Sequence, residues 1–418
     1  MAFGDRPIRP HRLARSRTLP SHGRNWGSNP HGAKKTEDGK PSSVFVCFFQ
    51  LNLLQYTYMK PRTQYQFFST TRSALQAMFD AISKAEKSIY WETYIFEKDT
   101  TVWPFIEKLK AKARQGVEVK LIIDAMGSFG FEKKIMEEMR ETGMEVIYFN
   151  PLELSSFWRG VRRMLERNHR KVLVVDERIG FIGGVNVEKE SFGWFDLHVR
   201  VEGPMIMHLL KSFAHSYLAG GGRLGKIKSL LYIPIIKEKY WRVLWHKPRE
   251  NFSSVRKIYL NAINRARHSL TIVNPYFLPD KEFLQALIEA RQRGVKIDLI
   301  LPKHSDLFFL NYATRAYWSL FSRVGLKIYL VKKMIHAKAM MVDGSWAMIG
   351  SSNFDSQSFF RSHETNLIFT DRSMIADLKK IFHGWKKRSL LFRPLYWAKR
   401  PIREKFFEWI GKILGPIL

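Results

Sequence analysis

The sequence predicts an α/β protein built from two copies of one unit. Helical segments alternate with short apolar strands, a pattern typical of layered α/β folds. An offset of 167 residues also brings matching residue types into register: His169 with His336, Lys171 with Lys338, Asp176 with Asp343, Gly183 with Gly350, and Asn186 with Asn353. An internal repeat of this kind indicates that one structural unit has been used twice.

The predicted elements follow the same order in both copies. Apolar spacing predicts helix, strand, helix and strand over residues 74–87, 88–96, 104–115 and 117–124, and again over residues 253–267, 269–277, 281–293 and 295–301. Gly116 and Gly294 directly follow the second helix of each copy. A glycine at this place commonly ends a helix.

Changes in composition divide the chain into five segments. Residues 1–42 hold nine Lys and Arg against three Asp and Glu, and we expect a disordered basic arm. Residues 43–219 form the first half and residues 251–390 the second. A basic, aromatic linker over 220–250 joins them, and residues 391–418 form a basic tail.

The composition limits the classes of function. Lys and Arg outnumber Asp and Glu by 69 to 38, giving a net charge of +31, so the expected partners are polyanions such as nucleic acid or an anionic membrane. Cys47 is the only cysteine, which excludes an intrachain disulfide and a cysteine-based zinc site. The most apolar window, residues 43–58, is shorter than the ~20 residues of a spanning helix, and we expect neither a membrane span nor a secretory signal.

The repeated motif carries groups suited to phosphodiester transfer. Residues i and i+2 of a strand share a face, so His169 and Lys171 project together, as do His336 and Lys338. Phosphodiester transfer needs a nucleophile, an acid for the leaving oxygen and positive charge on the other phosphate oxygens. Two histidines and two lysines supply these groups, and we expect no metal and no cofactor.

Three further residue types in each copy are candidates for the site. Asp176 and Asp343 end the apolar runs that follow the lysines, and we assign them with the catalytic residues. Gly183-Gly184 and Gly350-Ser351 could bring backbone N–H groups close to an oxyanion. Asn186 and Asn353 follow these pairs as supporting polar residues.

These residues resemble the two HKD motifs of the phospholipase D superfamily, and their surroundings resemble its bacterial cardiolipin synthase branch over residues 67–388. The phrases that carry the resemblance are Asn168-His169-Arg170-Lys171, Gly183-Gly184-Val185-Asn186, Asn274-Pro275-Tyr276-Phe277-Leu278-Pro279 and Gly350-Ser351-Ser352-Asn353-Phe354-Asp355-Ser356-Gln357-Ser358. The chain departs from the branch at Phe195 and Gln357, where arginine is expected, and at His363, where asparagine is expected.

The resemblance implies two α/β halves related by a pseudo-twofold axis, with both motifs in one active site at their seam. Asp196 lies 27 residues after His169, and Glu364 lies 28 residues after His336. These positions match the family carboxylates that orient each histidine, so we assign Asp196 to His169 and Glu364 to His336. The resemblance also implies that His169 is the nucleophile and His336 the general acid and base.

The C-terminal tail favours lipid over nucleic acid as the partner. Ile402, Phe406, Trp409, Ile413 and Ile417 recur at helical spacing among basic residues, which predicts a helix that lies on anionic lipid. The alternative is a helix that packs on the protein itself. No sequence module typical of nucleic-acid binding is present, and we expect no nucleic-acid partner.

We therefore expect a phosphatidyltransferase that joins two phosphatidylglycerol molecules into cardiolipin, releases glycerol and forms a phosphohistidine intermediate. We place it peripherally on the cytoplasmic side of the cell membrane. The alternatives are a phospholipase D that hydrolyses phospholipid to phosphatidic acid and a nuclease of the same superfamily. An inactive binding scaffold is disfavoured because both histidines, both lysines and both downstream carboxylates are present.

Overall fold

The repeat appears in the structure as two β-sheets with the same internal strand order. The structure, a computed structural model, describes residues 63–151, 166–234, 238–248 and 254–414. The predicted arm over residues 1–42, the apolar window 43–58 and Ile417 lie outside the described residues.

The first half contains eight strands and four helices in the described residues. In chain order they are β1 (Gln64–Thr70), α1 (Thr71–Ser83), β2 (Ser88–Thr93), α2 (Trp103–Arg114), β3 (Glu118–Asp124), α3 (Lys133–Glu141), β4 (Glu145–Phe149), β5 (Arg167–Asn168), β6 (Val172–Val175), β7 (Ile179–Gly183), β8 (Phe195–Glu202) and α4 (Met205–Ala219). Thr70 caps α1 by accepting a hydrogen bond from the N–H of Ser73, and Gly116, with φ of 89°, lies just past the end of α2.

The remaining described elements form the second half and its two ends. They are α5 (Lys228–Leu231), β9 (Trp241–His246), α6 (Ser254–Arg265), β10 (Ser269–Val273), α7 (Lys281–Gln292), β11 (Lys296–Pro302), α8 (Phe308–Arg323), β12 (Lys327–Val331), β13 (Lys338–Val342), β14 (Trp346–Gly350), α9 (Ser356–Phe360), β15 (Ser362–Phe369), α10 (Arg372–Lys387), β16 (Ser389–Leu391), α11 (Pro394–Ala398) and α12 (Ile402–Leu414).

The two sheets confirm the predicted α/β fold and its repeat. The first sheet has the order β1-β8-β7-β6-β2-β3-β4, and the second contains the path β16-β12-β11-β10-β13-β14-β15-β5. In each, three parallel strands (β2-β3-β4 and β10-β11-β12) adjoin an antiparallel motif strand, β6 or β13. The predicted helices and strands of both copies form close to their expected bounds.

Part of the predicted linker belongs to the second sheet. Strand β9 pairs antiparallel with β15, in the same way that β1 pairs with β8. Trp241 and Val243 of β9 are buried, and Arg242 between them is exposed. Leu244 is buried as well and packs in the cluster of the second half, so β9 contributes side chains to two parts of the core.

The core consists of three hydrophobic clusters, one in each half and one between them. One cluster packs α1, α2 and α3 against the outer face of the first sheet, and another packs α6, α7 and α8 against the second. A central cluster joins strand residues of both sheets with α4 and α10, including Val172 and Val174 of β6 and Ala337 and Ala339 beside the second motif. The motif strands are therefore held by apolar packing from both halves.

Helix α12 packs on α8 through one of its faces. Phe407 contacts the rings of Phe308 and Tyr312, with centroids 5.5 and 5.2 Å away. A Cβ at Gly411 would lie 2.6 Å from the backbone N of Ala313, so this contact leaves no room for a side chain. Among the described residues, no helix has both the length and the apolar character needed to cross a membrane.

Candidate active site

The two histidines meet because the segment just before each motif strand pairs with the other half. The N–H of His169 donates to the carbonyl of His363 at 3.0 Å, and β5, just before it, runs parallel to the start of β15. The N–H of His336 likewise donates to the carbonyl of Phe195 at 2.7 Å. The seam between the halves is thus a pair of backbone contacts that bring both motifs into one site.

The carboxylates cross between the halves, and the expected pairing within each copy is wrong. Glu364 lies 3.0 Å from Nδ1 of His169, and Asp196 lies 2.8 Å from Nδ1 of His336. The backbone contacts at the seam explain this exchange, because Glu364 directly follows His363 and Asp196 directly follows Phe195. Each histidine therefore keeps Nε2 as the ring nitrogen that can act on a substrate.

The two carboxylates differ in electrostatic character. Burial raises the pKa of Glu364, and the nearby Lys171 and the hydroxyl of Ser351, which donates to Glu364, only partly offset this effect. Burial also disfavours ionisation of Asp196, but the positive charge of His336 and the hydrogen bond between them outweigh it, so the pKa of Asp196 is lowered. His336 thus has an ionised partner, whereas His169 has a partner that holds its proton more readily.

The buried lysines lie beside the histidines. The ammonium of Lys171 donates to the carbonyl of His169 at 2.8 Å and lies 5.0 Å from the ring centroid of Tyr94. The ammonium of Lys338 lies 2.6 Å from Nε2 of His336 and donates to the His336 carbonyl. Burial lowers the pKa of Lys171 well below its usual range and that of Lys338 to about 8.

Burial and these lysines lower the pKa of both imidazoles. Burial is the main cause that lowers the pKa of His169 well below its usual value, followed by the charges of Lys171 and Lys338. Burial and Lys338 also lower the pKa of His336, and Asp196 opposes them. An anionic phosphate bound between the lysines would offset their charge and raise both values.

A cavity of about 490 Å³ opens onto both histidines. Its lining includes the motif histidines, both asparagines, aromatic side chains and carboxyl groups: Tyr94, Ile95, Glu97, Met126, Gly127, Arg167, His169, Asn186, Glu188, Glu190, Trp194, Tyr276, Asp306, Leu307, Leu310, His336, Asn353, Asp355, Gln357, Ser358 and Ser362. Trp194 and Tyr276 have ring centroids 5.8 and 6.4 Å from that of His336. The cavity has the size and the mixed lining of a small-ligand site.

Asn186 and Asn353 are buried in the cavity wall. The side-chain oxygen of each is buried without a hydrogen-bond partner among the described residues. Buried polar atoms are normally paired, so these two are available to a ligand. The structure thus brings both predicted asparagines to the same cavity as the histidines.

The expected oxyanion contact at the glycine pairs does not form. The N–H of Gly184 donates to the carbonyl of Leu197 at 2.9 Å, and that of Ser351 donates to Thr365 at 3.1 Å. The glycines instead allow close approach, because a Cβ at Gly184 would lie 2.3 Å from Oδ1 of Asp196. Gly184 thus makes room for the carboxylate that contacts His336, whereas Gly350 lies against the backbone of Thr365 and the side chain of Asn366.

Asp176 and Asp343 lie outside the site, so the catalytic assignment is not supported for them. Both have a left-handed backbone, with φ of 52° and 51°, in the turns that follow β6 and β13. Asp176 accepts from the N–H of Lys87 at 2.7 Å, and Asp343 accepts from that of His268 at 2.7 Å. Each aspartate lies five positions after its lysine, about 16 Å along an extended chain, so these carboxylates fasten the chain before β2 and β10 instead.

Three residues near the site were not among the predicted site residues. Arg170 is fully buried and donates to the hydroxyl of Ser216 at 2.7 Å and to the carbonyl of His246 at 2.9 Å, which ties the first motif to α4 and β9. Glu188 and Asp355 line the cavity, and burial raises the pKa of each to about 7. Their equal spacing, two residues after the asparagine of each copy, was a signal in the repeat.

The departures from the family pattern lie around the seam. The guanidinium of Arg388 lies 5.7 Å from the ring centroid of Phe195. Gln357 lines the cavity, and its amide donates to the hydroxyl of Ser362 at 3.2 Å. His363 is buried against the ring of Phe149, with centroids 5.2 Å apart.

Comparisons with known proteins agree with this geometry. The family described as "Cardiolipin synthase, PLD-like domain" matches residues 78–216 and 259–385. A "Cardiolipin synthase" of Geobacillus kaustophilus is 31% identical over 82% of this chain and 70% of its own length. A "Cardiolipin synthase A" of Edwardsiella ictaluri is 28% identical over 100% of this chain and 89% of its own length.

A solved structure shares the fold. The crystal structure of a phosphatidylserine synthase of Haemophilus influenzae covers 85% of this chain and 95% of its own, with a TM-score of 0.68 and 14% identity. At that identity the similarity concerns the fold alone. Together with the family match over both motif-bearing segments, these comparisons show that the chain belongs to the cardiolipin synthase family of phospholipase D-like proteins.

Proposed function

We propose that the protein transfers a phosphatidyl group from one phosphatidylglycerol molecule to another, producing cardiolipin and glycerol. The observation that supports this most strongly is the pair of histidines that face one cavity, each oriented through Nδ1 by a buried carboxylate of the other half. Similar proteins named cardiolipin synthases support the choice of lipid.

In the first step Nε2 of His169 attacks phosphorus. The bond from phosphorus to the glycerol oxygen breaks, and that oxygen takes a proton from Nε2 of His336. The low pKa of His169 supports this assignment, because a neutral imidazole offers its lone pair. The ionised Asp196 supports the acid role of His336, because a carboxylate at 2.8 Å stabilises the imidazolium that must deliver the proton.

In the second step a hydroxyl of another phosphatidylglycerol gives its proton to His336, and its oxygen attacks phosphorus as the bond to His169 breaks. Lys171 and Lys338 would turn from the backbone carbonyls that they now contact toward the phosphate oxygens. Positive charge there stabilises the transition state of both steps. Asn186 and Asn353 would supply further polar contacts to the same group.

We also propose that the protein binds peripherally to the cytoplasmic face of the cell membrane. Helix α12 contacts the protein through Phe407 and through Glu404, which pairs with Arg315 at 2.5 Å. Its opposite face bears exposed apolar side chains, with Ile402 at 85% and Trp409 at 60% exposure. The two sequence alternatives therefore combine, since one face packs on the protein and the other is available to lipid.

Product analysis tests the proposed reaction. Purified protein is incubated with phosphatidylglycerol vesicles, and we expect cardiolipin and glycerol in equal amounts. Phosphatidic acid as the only lipid product would favour the hydrolase, and cleavage of single-stranded DNA without any lipid product would favour the nuclease.

Deleting residues 395–418 should weaken flotation with anionic liposomes, and unchanged flotation would refute the membrane role of α12.

A further inference from the structure

We infer that the mouth of the active-site cavity docks on the surface of an anionic phospholipid leaflet through apolar side chains contributed by both halves. Five exposed residues form this surface, which we call the apolar rim: Met126, Phe129, Leu307, Phe308 and Phe309. The inference rests on the proposed lipid transfer, since it concerns how the substrate reaches the same cavity. It differs from binding by α12 because it fixes which side of the protein faces the bilayer.

The rim is built by equivalent loops of the repeat. Residues 125–132 follow β3, and residues 303–307 follow β11, its counterpart in the second sheet. Met126 and Leu307 line the cavity itself. Phe129, which is 78% exposed, lies three residues further along the first loop, and Phe309, which is 54% exposed, lies in the first turn of α8, just after the second loop. Each half therefore places exposed phenylalanine beside the opening.

Ring contacts connect the rim to the outer face of α12. Phe308 contacts Phe407 with ring centroids 5.5 Å apart, Phe407 contacts Phe406 at 5.9 Å, and Phe406 stacks on Trp409 at 6.3 Å. The aromatic surface thus continues from the cavity mouth to the lipid-facing side of the C-terminal helix. Continuous exposed apolar surfaces of this kind mark binding sites for proteins or membranes.

Charge identifies the partner as an anionic leaflet. Exposed lysines lie beside the rim, with Lys133 and Lys134 at the start of α3 and Lys303 in the loop after β11. The nearby carboxylates are already engaged, since Glu132 accepts from Lys98 and Asp306 accepts from Tyr276. Apolar residues bordered by cations suit a surface whose headgroups are anionic and whose interior is apolar. A second copy of this chain is the less suitable occupant, because two faces of a protein with net charge +31 repel each other.

Site-specific labels test the docking directly. With Cys47, the only cysteine, replaced by Ser, single cysteines are introduced as Phe129→Cys, Phe309→Cys and Ser345→Cys and labelled with an environment-sensitive fluorophore. Ser345 is the matched control, because it is exposed in the turn after β13, at the far end of that strand from Lys338. With phosphatidylglycerol vesicles we expect blue-shifted emission at positions 129 and 309 and none at position 345.

Several outcomes would overturn the inference. They are absence of vesicle binding, an unchanged emission at positions 129 and 309 in vesicle-bound protein, or an equal shift at position 345. A shift at position 309 that appears without lipid as the protein concentration rises would mean that a second copy covers the rim. The emission is independent of catalysis. A protein that binds vesicles but makes no cardiolipin would therefore refute the proposed function, and the emission at positions 129 and 309 would still show whether the rim docks on the leaflet.

Activity on two forms of substrate separates docking from chemistry. The double variant Phe129→Ser, Phe309→Ser should lose about ten-fold in cardiolipin formation from vesicles, because apolar area that binds the leaflet is removed. Its activity on short-chain phosphatidylglycerol dissolved as monomers should equal that of the unmodified protein, since neither residue lines the cavity. Equal losses on both substrates would contradict docking by the rim.

Discussion

Replacing Asp196 with Asn removes the ionised carboxylate that lies 2.8 Å from Nδ1 of His336. Because the carboxylates cross between the halves, this change should impair the acid step, although Asp196 lies in the same copy of the repeat as the proposed nucleophile, His169. The variant keeps the shape of the side chain. Its effect should therefore come from the lost charge and from the altered tautomer of His336.

The expected size of the effect follows from the geometry. Two unit charges 2.8 Å apart attract by about 6 kcal/mol at an effective dielectric constant of about 20. Each 1.36 kcal/mol corresponds to about a ten-fold change in rate, so the full loss would be about 10⁴-fold. An asparagine retains part of the hydrogen bonding, and we expect kcat with phosphatidylglycerol to fall about 10³- to 10⁴-fold.

The assay compares a poor and a good leaving group. The p-nitrophenyl ester of phosphatidic acid releases p-nitrophenolate, which leaves without protonation. With this substrate the Asp196→Asn variant should still form the covalent adduct at a rate near that of the unmodified protein. Glu364→Gln is the matched control, because Glu364 contacts His169, and it should slow adduct formation with both substrates. The reverse pattern in two folded variants would refute the crossed arrangement.

Three further predictions concern charge and stability. Since burial lowers the pKa of Lys338 to about 8, its ammonium is lost as pH rises through that value, and kcat/KM should fall above about pH 8. If the Lys338→Arg variant retains activity, its loss of kcat/KM should occur at higher pH. Asp176→Ala should lower the free energy of unfolding by about 1–3 kcal/mol in denaturant titrations with kcat unchanged, and a large loss of kcat in folded protein would restore the catalytic assignment. Arg170→Ala should lower the free energy of unfolding by about 2–5 kcal/mol, because the hydroxyl of Ser216 and the carbonyl of His246 lose their buried donor, and a change below 1 kcal/mol would refute that account.

The fold was predictable because local patterns and the repeat agree. Strands such as β2, buried along its whole length, and helices that end at Gly116 and Gly294 have clear signals in composition and spacing. Strand β9 was missed because Trp241–His246 lies in a basic, aromatic segment whose strand character depends on pairing with β15. That pairing is long-range and has no local signal.

The site was predictable in its members but not in its connections. The spacings of 27 and 28 residues from histidine to carboxylate are nearly equal in the two copies, so the sequence fits pairing within or between them equally well. Only the backbone contacts of His169 with His363 and of His336 with Phe195 decide between them. The positions of Asp176 and Asp343 depend on left-handed turns after the motif strands, which spacing alone does not specify.

The most direct test of the account is the site of the covalent intermediate. Protein is quenched during turnover of the p-nitrophenyl ester of phosphatidic acid, and the phosphatidylated residue is identified by mass spectrometry under conditions that preserve phosphohistidine. We expect the adduct on His169 in the unmodified protein and in His336→Ala, and no adduct in His169→Ala with any substrate. An adduct that persists in His169→Ala and never forms in His336→Ala would reverse the two roles and contradict the account.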